Sequence, residues 1–141
     1  MSRVVSLRLR EEQVRRLQRA ARRLGRTASE TAALLLEEAL RQRDFAFIEF
    51  RDSPVGRQAY LQGTRLAAWQ IADLARQCDG SAAKVAAQLD LPVVQVAAAL
   101  RYAAAYPEGI EAAIADNACA AADLERLIPN LETVDADAAS A

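Results

Sequence analysis

Side chains that commonly carry out catalysis are scarce in this sequence. There is no histidine among the 141 residues, and Cys78 and Cys119 are two isolated cysteines. Without histidine, both a zinc site and His-based acid–base chemistry are disfavoured. The acidic pair Asp135 and Asp137 lies in an alanine-rich segment with no metal-ligand set and no glycine-rich loop near it. The sequence therefore predicts no enzyme, no catalytic residue, no bound metal and no cofactor.

The chemistry that the sequence does favour is the binding of a polyanion by arginine. Residues 1–43, called the head below, carry eleven arginines and five glutamates, a net charge of +6. Residues 44–141 carry seven basic and fourteen acidic residues, a net charge of −7. Arginine is the general cation of this chain, because Lys84 is the only lysine. The informative feature is therefore the clustering of charge, which indicates that the head meets a polyanion.

The head begins with a segment that alternates like a β-strand. Within residues 2–10, one face is apolar and comprises Val5, Leu7 and Leu9. The other face comprises Val4, Ser6, Arg8 and Arg10. A lone strand is unstable by itself, so this predicted strand needs a partner.

Two helices are predicted to follow the strand. The first spans residues 11–24, begins with two glutamates at its positive end and is followed by Gly25 as a C-terminal cap. The second starts at a capping box, in which Thr27 is the N-cap and Glu30 reaches back, and runs to about Arg43. The apolar residues that these helices are expected to bury are Val14, Leu17, Ala21, Leu24, Ala32, Leu35, Leu36, Ala39 and Leu40.

Residues 44–115, called the body below, are predicted to begin with a β-hairpin. Its two strand-like runs are FAFIEFRD and GRQAYLQ, and a turn at Ser53-Pro54-Val55-Gly56 separates them. Helices are expected at about 67–77, 81–89, 92–106 and 108–115. Residues 116–141, called the tail below, are rich in Ala, Asp and Glu, and their order is left open.

The order strand, helix, glycine and capped helix over residues 3–43 resembles the ribbon-helix-helix family of bacterial repressors, which includes the DNA-binding halves of many antitoxins. The inter-helix turn RLGRTASE and both apolar stripes fall where that family has them. In that family the strand of one chain pairs antiparallel with the same strand of a second chain, and the ribbon enters the DNA major groove. The resemblance implies a homodimer, or a higher even oligomer, on a double-stranded DNA operator.

The resemblance also implies a role for each side chain of the predicted ribbon. The shared core of the dimer would contain Val5, Leu7 and Leu9. The base-contacting residues would be Val4, Ser6 and Arg8. Arginine can donate two hydrogen bonds to guanine, serine can donate or accept one, and valine can contact a thymine methyl group. The N-terminus of the second helix would bind a phosphate through Thr27, Ala28 and Ser29. The alternative for the head is a solvated helical hairpin with a frayed arm.

The chain from about Phe47 to Asn117 resembles the domain of unknown function 433, a small family common among antitoxins. The matching positions are Gly56, Gly63-Thr64-Arg65-Leu66, Trp69, the segment 82–89, Val96, Ala99-Leu100, Tyr102-Ala103 and Tyr106-Pro107. The sequence departs from that family before GTR, where RQAYLQ replaces the usual glycines.

Residues 81–89 and 92–106 are similar to a helix-turn-helix, which would suggest a second DNA reader. The first turns of the second helix hold only apolar residues and Gln95, and Arg101 is its single cation. About half or more of protein–DNA hydrogen bonds go to phosphate and sugar, and this helix offers little for them. Packing or protein–protein contact is therefore favoured for this unit. The aromatic residues expected in the core, rather than around a ligand pocket, are Phe45, Phe47, Phe50 and Trp69.

The tail contains an apolar stripe with helical spacing, interrupted by Pro129, that comprises Leu124, Leu127, Ile128 and Leu131. An apolar stripe on an acidic segment is typical of a segment that folds on a partner. The alternative is that the stripe packs on the body or is solvated. If the tail makes no partner contact, the hairpin residues Arg57 and Tyr60 are the next candidates.

Together these features predict a mainly α protein in three parts. The fold expected is an N-terminal ribbon-helix-helix at 1–43 with a β-ribbon formed between two chains, then a small β-hairpin with a helix-turn-helix-like three-helix unit at 44–115, and an acidic tail at 116–141. No apolar run reaches the length of a membrane span and no signal peptide precedes the first element, which predicts a cytoplasmic protein without membrane contact.

The predicted function is that of a DNA-binding antitoxin of a type II toxin–antitoxin system. It would repress its own operon and neutralise a toxin, for which the resemblance implies a PIN-domain ribonuclease. The alternative is a stand-alone transcriptional regulator whose body senses a ligand or mediates oligomerisation.

Overall fold

The computed structural model describes residues 1–128, which form six helices and one two-stranded antiparallel sheet. The two helices of the head come first, the hairpin follows, and the remaining four helices complete the chain. In order, the elements are α1 (Glu11–Leu24), α2 (Ala28–Asp44), β1 (Ile48–Ser53), β2 (Gly56–Leu61), α3 (Ala68–Gln77), α4 (Ala82–Leu89), α5 (Val93–Ala105) and α6 (Pro107–Leu127).

The prediction of an N-terminal ribbon-helix-helix is wrong. The first regular element is α1, residues 1–10 form no strand, and the one sheet of the described chain lies in the middle and pairs β1 with β2. A strand exists only where a neighbour completes its ladder of hydrogen bonds, and no strand within residues 1–128 pairs with this segment. The predicted dimer-core residues Val5, Leu7 and Leu9 are accordingly exposed.

The bounds of the two head helices agree with the sequence pattern. Gly25 ends α1 in the left-handed conformation, with φ of 64°, which glycine adopts without steric cost. The capping box at α2 is also present, since the Thr27 hydroxyl accepts from the Glu30 backbone N–H at 3.2 Å and the Glu30 carboxylate accepts from the Thr27 N–H at 2.9 Å. The hydrogen bond from the Thr27 backbone N–H to the carboxylate lowers the pKa of Glu30.

The buried face of α2 differs from the expected one. Leu35, Leu36 and Leu40 are exposed, whereas the buried residues of this helix are Thr31 and Glu38. The helix therefore turns a polar stripe toward the body and leaves its leucine stripe uncovered. The sequence pattern correctly marked an apolar face, but the described chain contains nothing that covers it.

The strands β1 and β2 form the β-hairpin that begins the body. Its strands pair in the register Ile48↔Leu61 to Ser53↔Gly56, so Pro54 and Val55 form a two-residue loop. The Ser53 hydroxyl donates to the Gly56 carbonyl at 2.7 Å, and Gly56 has a φ of 104° that disfavours any other residue. The turn predicted from Ser53-Pro54-Val55-Gly56 is confirmed.

The core of the body joins the hairpin to α3, α4, α5 and the first turns of α6. Its fully buried large side chains are Leu61, Ile71, Val85 and Val96. The aromatic residues Phe45, Phe47, Phe50 and Trp69 are half-buried and pack against this core. The last helix continues past Ala115, where the sequence placed its end, to Leu127, because the alanine-rich segment has high helix propensity and no interior proline.

Candidate nucleic-acid interface

Three of the five arginines of α1 lie on one exposed face of the helix, called the arginine face below. Arg15, Arg19 and Arg22 follow the spacing i, i+4, i+7 and line a shallow depression together with Glu12 and Gln18. Arg15 pairs with Glu11 at 2.6 Å, but both side chains are exposed, so this pair is weak and readily exchanged for a phosphate. The helix thus presents a positively charged surface with few acidic neighbours.

The extended segment before α1 adds further arginines to the same part of the chain. Arg3, Arg8 and Arg10 are exposed and form no ion pair with any group of residues 1–128. The predicted base-contacting residues Val4, Ser6 and Arg8 are exposed as well. Without a strand, alternation no longer assigns these three side chains to one face, and their contact with bases stays a prediction.

The predicted phosphate site lies at the start of α2. Thr27 and Ser29 are exposed and Ala28 is half-buried. The Thr27 hydroxyl is occupied by the capping box, but the backbone N–H groups of Ala28 and Ser29 belong to the first turn, which has no intrahelical acceptor. The structure brings this helix end close to the C-terminal arginines of α1 through the short turn at Gly25, and phosphate binding there stays a prediction.

An apolar groove separates the segment before α1 from the two head helices. Its apolar lining comprises Leu7, Leu9, Leu17, Ala20, Ala32 and Leu35. Leu36 and Leu40 extend the exposed apolar surface along α2. Before Glu38 the head buries only Ala21 and Thr31, so its two helices lack a core of their own. The groove and the leucine stripe together form an apolar face that the described chain leaves uncovered.

The head is fixed to the body by an ion pair between α2 and the hairpin. The Arg57 guanidinium donates to both carboxylate oxygens of Glu38, from Nε at 2.8 Å and from Nη2 at 2.7 Å, and also to Asp52 at 3.1 Å. Glu38 is buried, with 6% of its surface exposed. Hydrogen bonds to Glu38 raise the pKa of Arg57, so the guanidinium remains a full positive charge beside the buried carboxylate.

A second arginine of α2 reinforces this junction. Arg41 donates to the Tyr102 hydroxyl at 3.0 Å and to Glu37 at 2.8 Å, and its guanidinium carbon lies 3.7 Å from the centre of the Tyr106 ring. Burial raises the pKa of the Tyr102 phenol, and the hydrogen bond from Arg41 offsets this effect only in part.

The residues predicted to bind a protein partner are not brought together. Arg57 is bound to Glu38 and Asp52, and Tyr60 is half-buried with the Arg51 guanidinium 4.9 Å from its ring centre. Leu124, Leu127 and Ile128 are exposed at the far end of α6. Leu131 lies outside the described residues. The exposed leucines at the end of α6 are therefore available to bind a partner. Arg57 is not, because its guanidinium is already bound to carboxylates of this chain.

Sequence reasoning missed Glu38 and Arg41, which attach the head to the body. The signal that could have revealed them is their spacing: Thr31, Glu38 and Arg41 recur on one side of α2, opposite part of the leucine stripe. When a carboxylate and a threonine lie on the same side of a helix, that side can pack against the protein through polar contacts instead of facing solvent. That signal gives no partner, since Arg57 is 19 residues away along the chain.

No metal site or membrane-spanning helix is found in the part of the chain that the structure describes. No group of three or more His, Cys, Asp or Glu side chains within residues 1–128 is placed to hold a metal ion. None of the helices in this part is both long and apolar enough to cross a bilayer.

Comparison with protein-family models, with curated proteins and with solved structures finds no match for this chain.

Removing the charge of Glu38 should destabilise the protein. Glu38→Gln keeps the side-chain shape but deprives Arg57 of its buried carboxylate, so we expect the free energy of unfolding to fall by about 1.5–3 kcal/mol. Glu11→Gln is the matched control: it breaks the exposed i, i+4 pair with Arg15 in α1 and should cost about 0.5 kcal/mol or less. Urea unfolding of the two variants measures the difference, and equal losses would show that the Glu38–Arg57 pair does not anchor α2.

Proposed function

We propose that this protein is a DNA-binding antitoxin that represses its own operon and neutralises a toxin. The single observation that supports DNA binding is the exposed arginine face of α1, continued by the arginines of residues 1–10. With a net charge of +6, the head is attracted to the phosphates of DNA, whereas the chain after residue 43, with a net charge of −7, is repelled by them.

The spacing of the α1 arginines suits a phosphate backbone. Residues four and three apart on a helix follow one side of it, so the three guanidiniums form a row along the axis. Arginine donates paired hydrogen bonds to phosphate oxygens, and such contacts fix the position of a protein on a duplex. We expect Arg8, in the exposed segment on the N-terminal side of this row, to provide base contact.

A second copy of the chain is the proposed occupant of the apolar face of the head. The groove and the leucine stripe are mainly aliphatic, with Gln13 and Arg16 at the groove, while Arg15, Arg19 and Arg22 lie on the opposite side of α1. Two such faces related by a twofold axis bury each other and leave both arginine faces outward. Dimerisation would also supply the core that the two head helices lack, and a palindromic operator would match its symmetry.

The proposed toxin contact is the exposed end of α6. Leu124 and Leu127 present aliphatic surface there, 49% and 69% exposed, within a stretch, residues 115–128, whose residues are all exposed. Exposed leucines on an acidic helix suit a groove with a basic rim, the helix-in-groove mode of recognition. The resemblance of the body to an antitoxin-associated family favours a PIN-domain ribonuclease as the toxin.

Replacing the α1 arginines should weaken DNA binding by loss of phosphate contacts. For Arg15→Gln/Arg19→Gln/Arg22→Gln, we expect the slope of log affinity against log salt concentration to become shallower by about 2 to 3, because fewer counterions are released. Fluorescence anisotropy with a duplex from upstream of the protein's own coding region measures this slope. The matched control Arg65→Gln/Arg76→Gln/Arg101→Gln removes the same charge from the body and should leave the slope unchanged. Equal effects of the two triple variants would contradict binding through α1.

A charge in the apolar groove should prevent dimerisation. Leu35→Asp buries a carboxylate without a partner in the proposed interface, yet Leu35 is partly exposed in the single chain and the variant should still fold. Sedimentation equilibrium is expected to give a dimer for the wild type and a monomer for this variant. Val94→Asp, at an exposed valine of α5, is the control that should remain a dimer. A dimeric Leu35→Asp variant, or a monomeric wild type, would contradict the proposed interface.

Charges on the leucine face at the end of α6 should abolish toxin neutralisation without affecting DNA binding. For Leu124→Glu/Leu127→Glu, we expect cells to lose protection from a co-expressed PIN-domain ribonuclease encoded beside this gene. Ala115→Glu/Ala122→Glu places the same charges on the opposite, exposed face of the helix and should keep protection. Retained protection in the leucine variant, or the absence of a nuclease gene beside this one, would contradict the antitoxin assignment.

A further inference from the structure

A cavity lies where α2, the hairpin and the corner between α5 and α6 meet, beside the Glu38–Arg57 pair. Its volume is about 180 Å³. Four aromatic residues contribute to its wall: Phe50, Trp69, Tyr102 and Tyr106. We propose that this cavity binds a neutral, planar heteroaromatic molecule of one or two rings.

Polar groups without a protein partner line this cavity. The Trp69 indole N–H and the Gln58 side-chain amide make no hydrogen bond to any group within residues 1–128. The Tyr102 hydroxyl accepts from Arg41, which leaves its own proton free to donate. A few such groups on an otherwise apolar wall are what orients a small ligand, and together they offer two donors and an amide that can both donate and accept.

The charges around the cavity cancel in pairs. Arg41 is bound to Glu37 at 2.8 Å, and Arg57 is bound to both oxygens of Glu38. A charged ligand would have to break one of these pairs or remain without a counter-charge, and both are costly in a partly buried site. An uncharged ligand avoids this cost and uses only the unpaired polar groups.

The size and the walls of the cavity select a flat ligand. A dry cavity of about 150 Å³ accommodates benzene, and drug-sized pockets occupy about 300–1,000 Å³. A volume of about 180 Å³ therefore suits one ring or two fused rings. Phe50 and Trp69 are only half-buried and line the cavity, so their rings can make offset or edge-to-face contact with a flat ligand.

A ligand in this cavity would touch both parts of the protein. Leu34 and Arg41 of α2 line one side of it, and Phe50 and Trp69 of the body line the other. Binding would strengthen the attachment of α2 to the body and so restrict the angle at which the head is held. This site does not depend on the proposed DNA binding, because all its lining residues lie outside the arginine face of α1.

Fluorescence of Trp69, the only tryptophan of the chain, reports occupancy of the cavity directly. We expect titration of the full-length protein with adenine (two rings) or uracil (one ring) to change the emission in a saturable manner for at least one probe. Benzoate, a planar anion of similar size, should give no saturable change. Strictly linear quenching by both neutral probes, or saturation by benzoate alone, would overturn the proposal.

Two variants locate the binding. Gly109→Leu should abolish the saturable change, because Gly109 lines the cavity and a larger side chain there reduces the space for a ligand. A Cβ built at Gly109 meets no atom within 4 Å, so the substitution causes no clash. Gln58→Leu removes a polar group without breaking a side-chain hydrogen bond within residues 1–128 and should weaken binding about tenfold. Ala105→Leu, at an exposed position outside the cavity, is the control and should bind as the wild type does. Unchanged binding by both cavity variants would place the ligand elsewhere.

Discussion

A carboxylate buried at the junction of two elements must be neutralised where it lies, and the Glu38–Arg57 pair satisfies this constraint. Glu38 sits on the inner side of α2, and Arg57 reaches it from the second strand of the hairpin with two short hydrogen bonds. The desolvation of both groups is offset only in this fork-like geometry. The position of α2, and with it the direction of α1, therefore depends on how the hairpin presents one guanidinium.

The two parts of the chain obtain their stability in different ways. The body has a continuous core in which Leu61, Ile71, Val85 and Val96 are fully buried. The head has almost no core, and it is held by caps, by the ion pair and by Arg41 on the tyrosines. The head has exposed leucines on one side and arginines on the other. The leucine side is suited to contact with another apolar surface, and the arginine side is suited to contact with a polyanion. The cavity between the parts lies where a small molecule can influence both.

Local signals in the sequence predicted local structure well. Three such signals act through hydrogen bonds within a few residues, and each lies where the sequence predicted it: Gly25, Thr27 with Glu30, and the turn at Pro54 and Val55.

Sequence signals that depend on a distant partner gave wrong predictions. Alternation in residues 2–10 predicted a strand, but pairing is a property of two segments and none pairs with it within the described chain. The apolar stripe of α2 was recognised but not its exposure, because the competing polar face depends on Arg57 across 19 residues. The positive charge of the head could be predicted from composition. The cavity could not be predicted, since its walls come from six elements.

Amide hydrogen exchange of the 141-residue chain, with and without a DNA duplex, is the sharpest test of DNA binding through the head. Exchange depends on local opening and on direct shielding, so a DNA-bound surface becomes protected where it meets phosphate. Binding through the head predicts that DNA slows exchange along α1 and at the backbone N–H groups of Ala28 and Ser29, and leaves α4 and α5 unchanged. Protection confined to α4 and α5, or no change anywhere in the head at a DNA concentration that saturates binding, would contradict the account.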